Sequence, residues 1–189
     1  WFRAEADAPS LPQNFPVWAS GTYAHEAARV ITAWKSGHRP DLDQPLARLG
    51  RILGRILHDH LNPTTVVVMP APSGWRRVMT GNEVVAPWAQ AITEGMRERG
   101  CQAVMAPVLR RRGGSQKRLS QGMRRERRAH SVTLRPRNLS LPPQAAVVLV
   151  DDVLTTGATL AACARAVSTQ APVLGAIVLA ATPNPVIHE

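Results

Sequence analysis

Two adjacent carboxylates, followed by three threonines around a glycine, stand out in this 189-residue chain: Val147-Val148-Leu149-Val150-Asp151-Asp152-Val153-Leu154-Thr155-Thr156-Gly157-Ala158-Thr159. The apolar run predicts a strand, the acids and threonines a turn, and the residues from Leu160 a helix. In open α/β sheets ligands bind outside the carboxyl ends of strands, where this turn falls. A helix N-terminus offers free N–H groups and about half a positive charge to an anion. Gly157 permits positive φ and close backbone approach, while Thr155, Thr156 and Thr159 add hydroxyl donors. The turn is therefore predicted to hold one phosphate. Asp151 and Asp152 repel phosphate, but their oxygens suit sugar hydroxyls or Mg²⁺. The implied ligand carries a phosphate, then vicinal hydroxyls, then further negative charge. Neither a Gly-Lys-Thr phosphate loop nor a G-x-G-x-x-G turn occurs, which counts against nucleoside triphosphates and dinucleotides.

The charge pattern supplies a second candidate region. Net charge is +10, from 23 Lys and Arg against 13 Asp and Glu. Between Arg110 and Arg137 lie eleven basic residues and one acid, Glu126, so the rest of the chain is balanced. A solvated basic loop, a DNA or RNA contact and a mobile clamp on a small polyphosphate are all compatible with that segment. No aromatic residue interrupts it, which weakens stacking on single strands. Cys101 and Cys163 are too few for a disulfide framework or a four-thiolate metal site, so both are read as packing residues and no zinc is expected in this chain. A cytoplasmic protein with no membrane partner is expected, since the longest apolar stretch, Ala171 to Ala181, is too short to cross a bilayer. The oligomeric state stays open.

These residues need a scaffold, and hydrophobic periodicity outlines one. Residues 1–20, with Pro9, Pro12 and Pro16, read as an extended lead-in, and 21–189 as the domain proper. Tyr23, Ala27, Val30, Ile31 and Trp34 predict a helix ending near Gly37. Leu42, Leu46, Leu49, Leu53, Ile56 and Leu57 predict another to about His60. Thr64 to Met69 reads as a strand, Pro70 to Arg77 as a loop, and Asn82 as the cap of a helix through Arg99. Ala103 to Leu109 reads as the next strand. The basic segment opens at Gly113-Gly114 and is predicted to form a short helix over Leu119 to Arg128. Ala145 to Val150 is a central strand ending at the two aspartates, Leu160 to Val167 a helix and Val173 to Ala180 a last strand. Strands alternating with helices predict an α/β fold, a mostly parallel sheet flanked by helices, with N-terminal helices and a basic mobile loop over 110–137.

The stretch from Val147 to Thr159 resembles the phosphoribosyl pyrophosphate (PRPP) motif of type I phosphoribosyltransferases. The chain order is similar to the ComF competence-protein family: helices first, a proline-ended strand, an Arg-rich segment with Gln116, Leu119, Ser120, Arg124 and Arg127, then the motif. The usual N-terminal Cys-x-x-Cys zinc module of that family is absent from the residues given. Met79-Thr80-Gly81-Asn82-Glu83 stands where its Arg-Gly-Phe-Asn-Gln would be.

The resemblance implies a PRPP- and Mg²⁺-binding transferase that displaces pyrophosphate with an unidentified acceptor. Asp151 and Asp152 would contact ribose and metal, Arg124 and Arg127 would close over the leaving group, and Val153, Leu154, Thr155, Thr156, Gly157, Ala158 and Thr159 would hold the 5-phosphate. Ala71, Pro72, Ser73, Arg76 and Arg77 would form a pyrophosphate loop. Hypoxanthine-guanine enzymes carry an Asp where this chain has Thr155. His38, His58, His60 and His130 qualify as bases only by residue type. The competing expectation is a nucleic-acid-binding accessory of DNA uptake that keeps the cradle without catalysis.

Overall fold

The computed structural model describes residues 2–4, 11, 15–37, 39–73, 83–111, 132–135 and 140–182. The elements in chain order are β1 (Phe2–Ala4), β2 (Val17–Thr22), α1 (His25–Lys35), a 3₁₀ turn (Pro40–Leu42), α2 (Asp43–Leu61), β3 (Thr65–Pro70), α3 (Val85–Arg97), β4 (Gln102–Met105), β5 (Leu109–Arg111), β6 (Val132–Leu134), β7 (Ala146–Leu154), α4 (Ala158–Val167) and β8 (Val173–Ala181). Among these residues no helix is long and apolar enough to cross a membrane.

The main sheet runs β1-β2-β8-β7-β3-β4. Five of its strands are mutually parallel and β1 is an antiparallel edge. The predicted fold class is therefore the observed one. β7 lies in the middle because nothing in its first half is polar. Val147 and Leu149 enter one core with Val67, Met69 and Val178, while Val148 and Val150 enter a second core with Val66, Val68 and Ile177. Alternation at period two on a strand covered on both faces yields a continuous apolar run, as the sequence has. α4 and the β5–β6 ribbon cover the first face; α1, α2 and α3 cover the second.

Some boundaries differ from those expected. Val17–Thr22, inside or just past the expected lead-in, is a sheet strand paired with Ala176–Ala181 of β8. It is hidden in the sequence by the flanking prolines. The strand expected over Ala103–Leu109 stops at Met105, and Leu109 begins a separate ribbon with Leu134 opposite it. Both leucines are buried, which anchors the ribbon to the core. The basic segment therefore opens in β5 and includes β6, Val132–Leu134, while the helix expected at Leu119–Arg128 and the Gly113-Gly114 hinge lie outside the described residues. α3 begins at Val85, with Val84 and not Asn82 in the cap position, and Asn82 also lies outside them.

α2 and α3 meet backbone to backbone. A methyl group added at Gly54 would collide with the Ile92 carbonyl oxygen, and one at Gly95 with the Arg51 carbonyl oxygen. Arg51 reinforces the crossing with Nε donating to Glu94 Oε2 at 2.9 Å. Gly95→Ala is expected to lower stability by about 1–3 kcal/mol, the usual cost of overpacking, measured as the urea midpoint of unfolding.

Candidate active site

Because β2, β8, β7, β3 and β4 are parallel, their carboxyl ends share one edge, and the loops leaving them converge. Pro70 pairs with Val150, and the Ala71 amide donates to the Val150 carbonyl at 2.7 Å. This sets Ala71–Ser73 beside Asp151. Lys35, Ala71, Pro72, Ser73, Arg111, Asp151, Asp152, Val153 and Thr159 line one small cavity of about 130 Å³ there. Residues from five separate stretches of chain thus meet at one point.

The sequence placed the strand end at the two aspartates, and the structure carries the strand past them. β7 continues through Leu154, with Asp151 opposite Val178, so both acids sit inside paired strand. Asp152 is buried and forms an ion pair with the Lys35 ammonium, 2.8 Å from Nζ to Oδ2. Asp151 is half-buried, and its Oδ1 accepts the Asp152 N–H at 2.9 Å. Burial, and then the charge of Asp152, push the Asp151 carboxyl up to about 7, against the opposing pull of the Asp152 amide, Lys35 and Arg111. Two carboxylates on adjacent residues in a low-dielectric site cannot both ionise cheaply. Such a pair suits a cation.

The turn after β7 has the expected form. Gly157 adopts φ 70°, a left-handed conformation that glycine takes without steric cost, and precedes α4. No side chain caps that helix, and its first internal bond runs from the Ala161 amide to the Gly157 carbonyl. The amides of Ala158, Thr159 and Leu160 therefore precede the helical ladder. Thr155 and Thr156 are exposed; Ala158 and Thr159 are half-buried. The Thr182 amide donates to the Leu154 carbonyl at 2.9 Å and fixes the point where strand becomes turn.

Two cations here were not singled out from the sequence. Lys35 ends α1, far from Asp152 in the chain, and only the fold of the N-terminal helix over the sheet edge joins them. Arg111 ends β5 and donates from Nε to the Pro72 carbonyl at 3.0 Å, tying the ribbon to the loop after β3. Its place at the head of the basic segment was the available signal. Arg76, Arg77, Arg124 and Arg127 lie outside the described residues, as do His38 and His130. His58 and His60 are at the end of α2, just before β3 begins, on the opposite edge of the sheet from Asp151. His60 meets Trp18 edge-on with ring centroids 6.2 Å apart. Cys101 and Cys163 are buried, and burial followed by the Asp151 charge pushes the Cys163 thiol up.

A parallel α/β sheet with adjacent carboxylates, a glycine turn and an uncapped helix at one edge has the form in which α/β proteins bind ligands at strand ends and anions at helix N-termini. Residues 86–188, more than half of the chain, match the phosphoribosyl transferase domain family. The chain belongs to that family. A comparison with curated proteins finds no match to it.

The raised Asp151 value has a consequence for folding. An acid whose native value exceeds its ordinary one, here 3.8, loses stability as pH rises from that value toward 7. Asp151→Asn keeps the acceptor for the Asp152 amide and removes the buried charge. Relative to the parent, it is expected to gain on the order of 2 kcal/mol between pH 4 and pH 8, read from urea unfolding at the two pH values.

Proposed function

We propose that the chain binds PRPP with Mg²⁺ at this sheet edge and transfers the phosphoribosyl group to an acceptor with release of pyrophosphate, as the ComF-like order of its motifs suggests. The observation that carries this reading is the meeting of Asp151, Asp152, Thr159, Ala71–Ser73, Lys35 and Arg111 around one cavity. The 5-phosphate takes the Thr155–Thr159 turn, where unladdered amides and hydroxyls replace its water. The ribose hydroxyls donate to the aspartates. The pyrophosphate lies toward Ala71–Ser73, within the field of Lys35 and Arg111.

The donor set fits the metal. Mg²⁺ takes oxygen ligands, is usually held by one or two carboxylates plus substrate phosphates, and would relieve the repulsion that raises Asp151. Among the described residues no third His, Cys, Asp or Glu joins the pair, so Asp151 and Asp152 would hold the ion together with oxygens of the ligand or water. When bound, the ion would supply charge neutralisation for the departing pyrophosphate. The protein's share is to orient ribose through Asp151 and Asp152, hold the phosphate in place and present cations where negative charge develops.

The basic run between Arg110 and Arg137 favours one rival, a nucleic-acid-binding protein that keeps the cradle without catalysis. Calorimetry with PRPP and Mg²⁺, beside a salt titration with DNA, separates the two. One-to-one PRPP binding that falls at least about tenfold in Asp151→Asn/Asp152→Asn supports the transferase. Undiminished affinity in that variant removes the aspartates from the site, and DNA binding without PRPP binding favours the rival.

The pH dependence follows from the same groups. The metal needs the ionised carboxylate, so Mg²⁺-dependent PRPP affinity is expected to rise between pH 6 and pH 8 as the Asp151 proton leaves. Calorimetry in buffers of different ionisation enthalpy should show proton release below pH 7 and little above it.

A further inference from the structure

Lys35 is the last residue of α1, and its backbone is held from both sides. The helix closes behind it, with the Ser36 amide donating to the Thr32 carbonyl at 3.1 Å and the Gly37 amide to the Trp34 carbonyl at 3.0 Å. Trp34, directly before it, is buried, and its Nε1 donates to Asp43 Oδ1 of α2 at 2.8 Å. A lysine on so fixed a backbone moves only by its stem, four flexible carbons carrying a compact charge with three donors. The residue type is itself uncommon here: of the 23 basic residues, only Lys35 and Lys117 are lysines. Arginine, the chain's usual cation, would grip a carboxylate with a rigid fork, whereas an ammonium exchanges partners readily.

The ammonium lies at the acids proposed to hold the metal. Nζ stands 2.8 Å from Asp152 Oδ2, and the two side chains are unequally covered, 24% of Lys35 being exposed against 10% of Asp152. The carboxylate is thus fixed in the sheet, while the ammonium reaches it from the solvent side. Lys35, Ser73, Arg111, Asp152 and Thr159 line the same cavity, so the ammonium can turn from the acid toward the space assigned to the ligand's phosphates without leaving it.

The oxygen that Lys35 occupies is one that a divalent ion could use. Mg²⁺ bonds carboxylate oxygens at about 2.1 Å. An ion on Oδ2 with the ammonium still in place puts two like charges no more than about 5 Å apart, in a half-buried setting that screens them poorly. Asp151 has an oxygen committed as well, its Oδ1 accepting the Asp152 amide. The ion pair and a metal on Oδ2 are therefore alternatives.

We propose that Lys35 is a resident counter-cation: it keeps Asp152 from a free divalent ion and yields the carboxylate only to an ion arriving with phosphate oxygens, which take the ammonium in exchange. One side chain thereby couples metal binding to phosphate binding. The second half of the inference rests on the PRPP reading; the exclusion of free metal does not.

The test is a titration of the full chain with Mn²⁺ alone at pH 8, read from the electron paramagnetic resonance of the free ion. Lys35→Gln keeps an N–H donor for Oδ2 without the charge, and is expected to bind Mn²⁺ at least about tenfold more tightly than the parent, because the like charge beside the ion is gone. Lys35→Arg should bind it no more tightly than the parent, and Lys35→Gln combined with Asp152→Asn should lose the gain. Unaltered affinity in Lys35→Gln overturns the proposal, as does tightening in Lys35→Arg or a gain that survives Asp152→Asn. Urea midpoints show whether the variants fold. If Lys35→Gln does not, the parent decides: with its lysines reductively ¹³C-methylated, which preserves their charge, the Lys35 signal, identified by its loss in Lys35→Arg, should stay in place with Mg²⁺ alone and move with Mg²⁺ and PRPP. Movement with Mg²⁺ alone, or none when calorimetry shows PRPP bound, overturns the proposal. If PRPP does not bind at all, the transferase reading falls, while the Mn²⁺ titration, which contains no PRPP, still decides whether Lys35 guards Asp152.

Discussion

Placing two neighbouring carboxylates inside a strand that is buried on both faces is costly, and the rest of the site answers that cost. Taken alone, Asp151 and Asp152 would be better solvated in the unfolded chain. The protein retains them by bringing Lys35 from the N-terminal helix to one and Arg111 from the ribbon near the other, and by leaving Asp151 a raised affinity for its proton. Those two cations come from elements that lie on opposite faces of the sheet. The α1 packing on one side and the β5–β6 packing on the other are thus both referred to the same pair of acids.

This arrangement explains why parts of the molecule were legible from sequence and others were not. β7 and α4 were readable because local rules agreed: an apolar run buried on two faces, then a glycine with a left-handed φ, then a helix with apolar residues at helical spacing. α2 was readable from its leucine stripe. β2 was not, since its pairing with β8 joins opposite ends of the chain and Pro16 beside it signals a loop. The β5–β6 ribbon was missed for a similar reason: three-residue strands hold through Leu109 and Leu134 entering the core, and short strands carry little periodicity of their own.

The candidate site shows the same division. The glycine turn after β7 is one contiguous stretch, so residue types and spacing exposed it. Lys35 belongs to it only through tertiary structure. The aspartates were legible as residues but their setting was not: the strand was expected to end at them, whereas β7 runs on to Leu154 with β8 alongside. Residue identity reports which atoms are available, while the dielectric around them is a property of the assembled layers.

The glycine contact between α2 and α3 reaches beyond packing. With Gly54 set against the Ile92 carbonyl and Gly95 against the Arg51 carbonyl, the two helices cannot move closer together, and any separation would open a gap along the second core. The start of α3, which carries Val84 and Trp88, is therefore held at a fixed spacing from Ala47 on α2. A lineage or an engineer seeking a wider space between these helices could not obtain it by sliding them. Any change of width must be carved one side chain at a time, so the space between these helices alters in discrete steps, with the backbone acting as a ruler.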